Sequence, residues 1–206
     1  MQITLEKLGK RYNRDWIFRN LNCELNSDTS YAILGANGSG KSTLLQVIAG
    51  NQLPSEGKIN YFLNQTSIAA EQIFHQISFA SPYLELIEEY TLTEIIQFQA
   101  HFKPFLNGLS TSEMIQIIGL ERSKDKELKY YSSGMKQRVR LALALLSNTR
   151  MVLLDEPTSN LDKKGIEWYS HLIHNYAKNR LLIVCSNHLV HEYEFCKEQL
   201  LMEDFK

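Results

Sequence analysis

The sequence predicts an α/β fold: a mostly parallel sheet covered on both faces, an antiparallel β subdomain on the N-terminal side, and an α-helical subdomain between the strands of the sheet. Three observations predict it. The runs Tyr31-Ala32-Ile33-Leu34, Met151-Val152-Leu153-Leu154 and Leu181-Leu182-Ile183-Val184-Cys185 are short and apolar at every position, the pattern of strands buried on both faces. Helical stretches separate them, as crossovers between parallel strands require. Apolar and polar residues alternate in Gln2-Ile3-Thr4-Leu5-Glu6 and in Leu21-Asn22-Cys23-Glu24-Leu25, which marks two half-exposed antiparallel strands.

Taken in order, the strand Tyr31 to Leu34 stops at Gly35, and a helix follows from Lys41 through Ile48, with Gly50 placed to end it. Pro54-Ser55-Glu56-Gly57 reads as a turn, with strand material in Lys58 to Phe62 and in Ile77 to Ala80. From Leu84 to Ser147 the pattern is mostly helical, broken at Lys103-Pro104, at Asn107-Gly108 and at Ser132 to Gly134. A helix around Lys164 to Lys178 joins the last two buried strands. The expected organisation is one domain over 1–206: residues 1–83 and 148–206 form the core with its β subdomain, and 84–147 the helical subdomain.

A chain of 206 residues, 44% of them hydrophobic, is long enough to bury a sizeable core. The formal charge of −1 supplies no broad cationic field, so nucleic acid is not an expected partner. Cys23, Cys185 and Cys196 are scattered and odd in number, which suits a reducing compartment and idle thiols. The start, Met-Gln-Ile-Thr-Leu-Glu-Lys, lacks the pattern of a signal peptide, and no run approaches the ~18 apolar residues of a membrane span. A cytoplasmic chain is expected.

The chemistry starts in the loop Gly35-Ala36-Asn37-Gly38-Ser39-Gly40-Lys41-Ser42-Thr43, which matches G-x-x-x-x-G-K-[ST] at every fixed position. It follows a buried strand and opens a helix. Its glycines let the backbone N–H groups and the positive end of the helix dipole close on phosphates. Lys41 would neutralise the β- and γ-phosphates, and the Ser42 hydroxyl would ligate Mg²⁺. A second oxygen ligand is needed, and the strand Met151 to Leu154 runs into Asp155-Glu156. Asp155 is the expected metal ligand, and Glu156 the carboxylate facing the attacking water.

With these motifs in place, the chain resembles the nucleotide-binding domain of ATP-binding cassette (ABC) transporters from about Thr4 to Leu189. Asp155-Glu156-Pro157-Thr158-Ser159-Asn160-Leu161-Asp162 is similar to the Walker B and D-loop run of that family. Tyr131-Ser132-Ser133-Gly134-Met135-Lys136-Gln137 resembles its signature, usually Leu-Ser-Gly-Gly-Gln, in a degenerate copy: Ser132 and Gly134 fit, while Ser133 replaces a glycine and Met135 the glutamine. The resemblance implies a P-loop NTPase fold with a RecA-like core, and ATP and Mg²⁺ as cofactors. It implies His188 as the switch histidine against the γ-phosphate and Tyr12 as the aromatic that stacks on adenine, with Trp16 a nearby competitor. His75, His101, His171, His174 and His191 have no such support. The family's glutamine after the strand Ile77 to Ala80 is missing, since none occurs between Gln76 and Gln97. Ser81, or a neighbour in Ser81-Pro82-Tyr83-Leu84-Glu85, is expected to stand in.

In the family the signature of one subunit closes over ATP held by the phosphate loop of another. The resemblance therefore implies an ATP-sandwich dimer with a second copy of this chain or a related ABC subunit. The expected role is the ATP-hydrolysing subunit of a transporter, docked on a separate membrane permease at the inner face of the membrane. The docking surface is expected on a helical stretch carrying Tyr83, Glu85, Glu88, Glu89 and Tyr90. Two rivals are a soluble ABC ATPase acting on ribosomes or DNA and a weakly hydrolysing regulatory module.

Overall fold

A computed structural model describes residues 1–206. Two sheets form. The antiparallel one has the order β2-β1-β4-β5, with β1 at Gln2–Tyr12, β2 at Asp15–Asn26, β4 at Glu56–Leu63 and β5 at Thr66–Ile68. The alternation seen in the sequence sets its register: Ile3, opposite Leu25, and Leu8, opposite Leu21, all turn inward and are buried.

The parallel sheet has the order β6-β7-β8-β3-β9, with β3 at Ser30–Leu34, β6 at Ile77–Ala80, β7 at Met151–Asp155, β8 at Leu181–Ser186 and β9 at Glu198–Leu201. Its strands are apolar throughout because each face enters a different core. Met151, Leu153, Ile183 and Cys185 pack with the antiparallel sheet and with α1 (Lys41–Ile48). Val152, Leu154, Leu182 and Val184 pack with α4 (Ser133–Leu146) and α5 (Lys163–Tyr176), in a core that also takes in residues of α2 (Leu92–Phe102) and α3 (Thr111–Ile118). A short helix α6 (Val190–Tyr193) follows β8.

Leu84 to Tyr90, expected to be helical, is irregular, and helix begins only at Leu92. Its backbone bonds run sideways: Leu128 N donates to Tyr90 O at 2.8 Å and Lys129 N to Glu88 O at 2.9 Å. The α2 start is fixed by a capping box, in which Thr91 Oγ1 accepts from Glu94 N at 3.2 Å and the Glu94 carboxylate accepts from Thr91 N at 2.8 Å. The expected break at Asn107-Gly108 is real, with φ of 53° and 71° there. β5 and β9 are edge strands that sequence pattern did not indicate.

Candidate functional site

β3, β7 and β8 end side by side, with Leu34 opposite Ser186 and Asp155 opposite Cys185. Ligands of open α/β sheets bind beyond this carboxyl edge, and the phosphate loop and Glu156 meet there, whereas His188 is not among the residues that line the cleft. A cleft of about 250 Å³ is lined by Asn37, Gly38, Gly40, Lys41, Ser42 and Thr43 from the phosphate loop and by Glu156 from the end of β7. Ile17 and Tyr83 complete the wall. Larger hollows lie elsewhere, one of about 390 Å³ between Ser27 to Ser30 and the end of α5, but none gathers this set of groups.

Two of the loop's glycines, Gly35 and Gly40, are needed for packing as well as for curvature. Gly40 caps α1 at φ 103°, and a Cβ on it would lie 2.5 Å from the Ile17 side chain. Lys41 is buried, and its ammonium folds back to donate to Gly35 O at 2.8 Å and Ala36 O at 3.1 Å. A buried cation held only by carbonyl dipoles can be handed to an anion at little cost. Ser39 is buried as well, and its hydroxyl has no partner.

Asp155 is 2% exposed. Its Oδ2 accepts from Ser81 Oγ at 3.4 Å, while its Oδ1 has no partner. Burial raises its pKa from the usual carboxylate value, and the nearby Ser42 hydroxyl pulls the other way. An orphaned, desolvated carboxylate oxygen beside a serine hydroxyl is a donor set that fits a hard divalent cation.

Glu156 is half-buried and holds φ 43°; His188, two residues beyond β8, is exposed with φ 58°. Non-glycine residues in this region cost of order 1–3 kcal/mol and persist where the surroundings over-determine them. Ile17 is the wall residue the sequence did not point to, whereas Tyr83 was expected as a neighbour of the missing glutamine's position and on the docking stretch. The Glu156 carboxylate, and then burial, raise its phenol from the usual value. Ser81, one of the expected stand-ins for the family's glutamine, is the residue of that segment in contact with Asp155, and its Oγ also accepts from Tyr83 N at 3.3 Å.

A family model described as ABC transporter matches residues 18–159, spanning the phosphate loop, Ser132 to Gly134 and Asp155-Glu156. The chain belongs to the ABC transporter family. It is 30% identical to an uncharacterized ABC transporter ATP-binding protein, YxlF, of Bacillus subtilis, over 98% of this chain and 68% of that protein. It is 31% identical to the bacitracin transport ATP-binding protein BcrA of Bacillus licheniformis, over 91% of this chain and 61% of that one. Among solved structures, a dimeric ATP-binding cassette in a post-hydrolysis state, bound to ADP and Pi, superposes with a TM-score of 0.81 at 24% identity, covering 97% of this chain and 93% of that one. The fold is thus the ABC ATPase fold, with the parallel core and antiparallel subdomain expected.

The residues that resemble the ABC signature are not in the lining of the cleft of their own chain. Ser132 is exposed and caps α4, accepting from Met135 N at 3.2 Å. Gly134 abuts the D-loop: a Cβ there would lie 2.8 Å from Asn160 O. Gln137, which ends that run and had no role assigned to it, is fully buried and donates to Pro157 O at 2.9 Å, tying α4 to the turn after Glu156. Tyr12 ends β1 exposed, outside the cleft's lining, with its hydroxyl donating to Gln52 Oε1 at 2.7 Å and Lys10 Nζ 5.2 Å above its ring. The acidic segment is largely exposed, with two ties back to α4. Glu88 pairs with Lys136 of α4, and Leu84 O accepts from Arg140 Nε at 2.6 Å, whereas Glu85 and Glu89 are exposed. No helix is long and apolar enough to cross a membrane.

Proposed function

We propose that this ABC ATP-binding subunit hydrolyses ATP and couples ATP-driven dimer closure to transport by a separate membrane permease, from the cytoplasmic face. The observation that carries the reading is the convergence of Lys41, Ser42, Thr43 and Glu156 on one cleft with the orphaned Asp155 carboxylate beside it. ATP is the substrate, its β- and γ-phosphates held by Lys41 and the amides of Gly35 to Thr43, its adenine stacked on Tyr12. Mg²⁺ would be held by Ser42 and Asp155 and would neutralise charge on the phosphates. Glu156 orients or deprotonates the water, and His188 donates to the γ-phosphate. Ser132 and Gly134 of a second subunit complete the site.

Steady-state turnover tests this reading. Wild type should hydrolyse ATP, and Glu156→Gln should lose about 10²-fold or more while still binding ATP; an unchanged rate would remove Glu156 from the mechanism. For docking, Glu85→Lys with Glu89→Lys is cleaner than any change at Glu88, whose carboxylate is used inside the chain. The pair should abolish co-purification with the membrane fraction and leave soluble turnover intact; unchanged co-purification would assign docking to another surface.

A further inference from the structure

Away from the cleft, one buried carboxylate has no part in the mechanism above. Glu192, on α6, is 1% exposed and forms no ion pair. Its Oε1 accepts from Thr158 N at 3.0 Å and from Thr158 Oγ1 at 2.7 Å, and its Oε2 accepts from Ser186 Oγ. Ser186 Oγ in turn accepts from Leu189 N at 3.2 Å. The backbone of Glu192 is held as well, its carbonyl accepting from Tyr169 Oη at 2.9 Å. Thr158 Oγ1 also lies 3.0 Å from His191 Nε2.

These partners belong to two different turns. Thr158 stands two residues after Glu156, and Ser186 and Leu189 bracket His188. Both turns hold a non-glycine residue at positive φ, 43° at Glu156 and 58° at His188, a conformation that needs external support. A buried carboxylate without a cation is a poor device for stability alone, because an apolar replacement of similar size serves at least as well. Its advantage is directional: one rigid group fixes donors from two segments that lie about thirty residues apart in the chain.

We propose that Glu192 is a positioning residue, which locks the Glu156 turn and the His188 turn into one relation so that both face the same γ-phosphate. This rests on the hydrolytic reading of Glu156 and His188. Glu192→Gln keeps the volume and one carbonyl acceptor but loses the second anionic oxygen. It should lower kcat by about 10- to 100-fold, the scale of a misplacement near 1 Å, with KM for ATP within about twofold and the melting temperature within a few degrees. Thr158→Val should follow it, and Thr158→Ser, which restores the hydroxyl, should return near wild type.

Amide hydrogen exchange on the full chain supplies a readout independent of turnover. In Glu192→Gln, protection should fall together across 158–161 and across 186–189. Unchanged kcat in both Glu192→Gln and Thr158→Val, or a loss of protection confined to 190–193, would overturn the proposal. If wild type itself shows no turnover, the hydrolytic reading fails, and the coupled or uncoupled loss of protection still decides the role of Glu192.

Discussion

The two ends of the parallel sheet both bury charge, and they treat it in opposite ways. At the entry ends of β6, β7 and β8, Arg180 is 7% exposed, and its guanidinium donates to Thr149 O at 2.8 Å, Leu145 O at 2.6 Å, Ser147 O at 2.9 Å, Tyr176 O at 3.3 Å, Thr149 Oγ1 at 2.6 Å and Ser78 Oγ at 3.3 Å. Several of those carbonyls terminate α4 and α5, where the helix dipoles favour a cation. At the exit ends, Asp155 keeps an oxygen with no partner, Lys41 is held only by loop carbonyls, and two turns sit at positive φ. A charge kept for structure is saturated from within the chain. A charge kept for a ligand is left with capacity for it.

That contrast can be broken at either end. The largest effect on folding is expected at the saturated end: Arg180→Met strands several buried acceptors at once, and should cost about 3 kcal/mol or more. For a chain of this size that is a fall of about 10 °C in melting temperature, with ATP affinity of the folded fraction retained. A drop under about 2 °C would show that the network is ornamental. At the open end the sign should invert. Asp155→Asn removes a desolvated charge, so the nucleotide-free protein should melt a few degrees higher at pH 7.5 while turnover is lost.

The pH dependence follows from the direction of the Asp155 shift. Its folded pKa is raised, so the neutral carboxyl is the form the fold favours. The associated stability is present below the unfolded value of about 3.9 and is lost as pH rises through the folded one. The melting advantage of Asp155→Asn should therefore shrink as pH is lowered, and an advantage independent of pH would assign it to packing. The smallest effect is expected from Ser81→Ala, which removes a 3.4 Å contact to the same carboxylate. A fewfold rise in the Mg²⁺ concentration needed for half-maximal turnover would mark Ser81 as the stand-in for the absent glutamine. No change at all would pass that role to Tyr83.

Much of this was legible in the sequence. Buried strands announce themselves by being apolar at every position, and the phosphate loop and Asp155-Glu156 are local patterns whose spacing is their chemistry. Leu84 to Tyr90 misled because its apolar residues recur at helical spacing while its carbonyls accept from Leu128 N and Lys129 N, a tertiary choice. The true start of α2 was in view at Thr91 and Glu94, three residues apart, as a capping box. Glu192, Gln137 and His191 were not legible, because their partners Thr158 and Pro157 lie 20 to 34 residues away in the chain. Ser132 and Gly134 were legible as a motif, yet in the folded chain they cap a helix and pack on the D-loop. The role proposed for them toward ATP depends on a second subunit.

Sedimentation velocity of Glu156→Gln with and without Mg-ATP tests that dependence most directly. The nucleotide-free protein should run as a monomer and the ATP-bound protein as a dimer. Adding Ser132→Asp keeps a competent helix cap but sets a carboxylate against the partner's γ-phosphate, and should hold the ATP-bound protein monomeric. A Glu156→Gln protein that binds ATP and stays monomeric, or a dimer indifferent to Ser132→Asp, would contradict the two-half site.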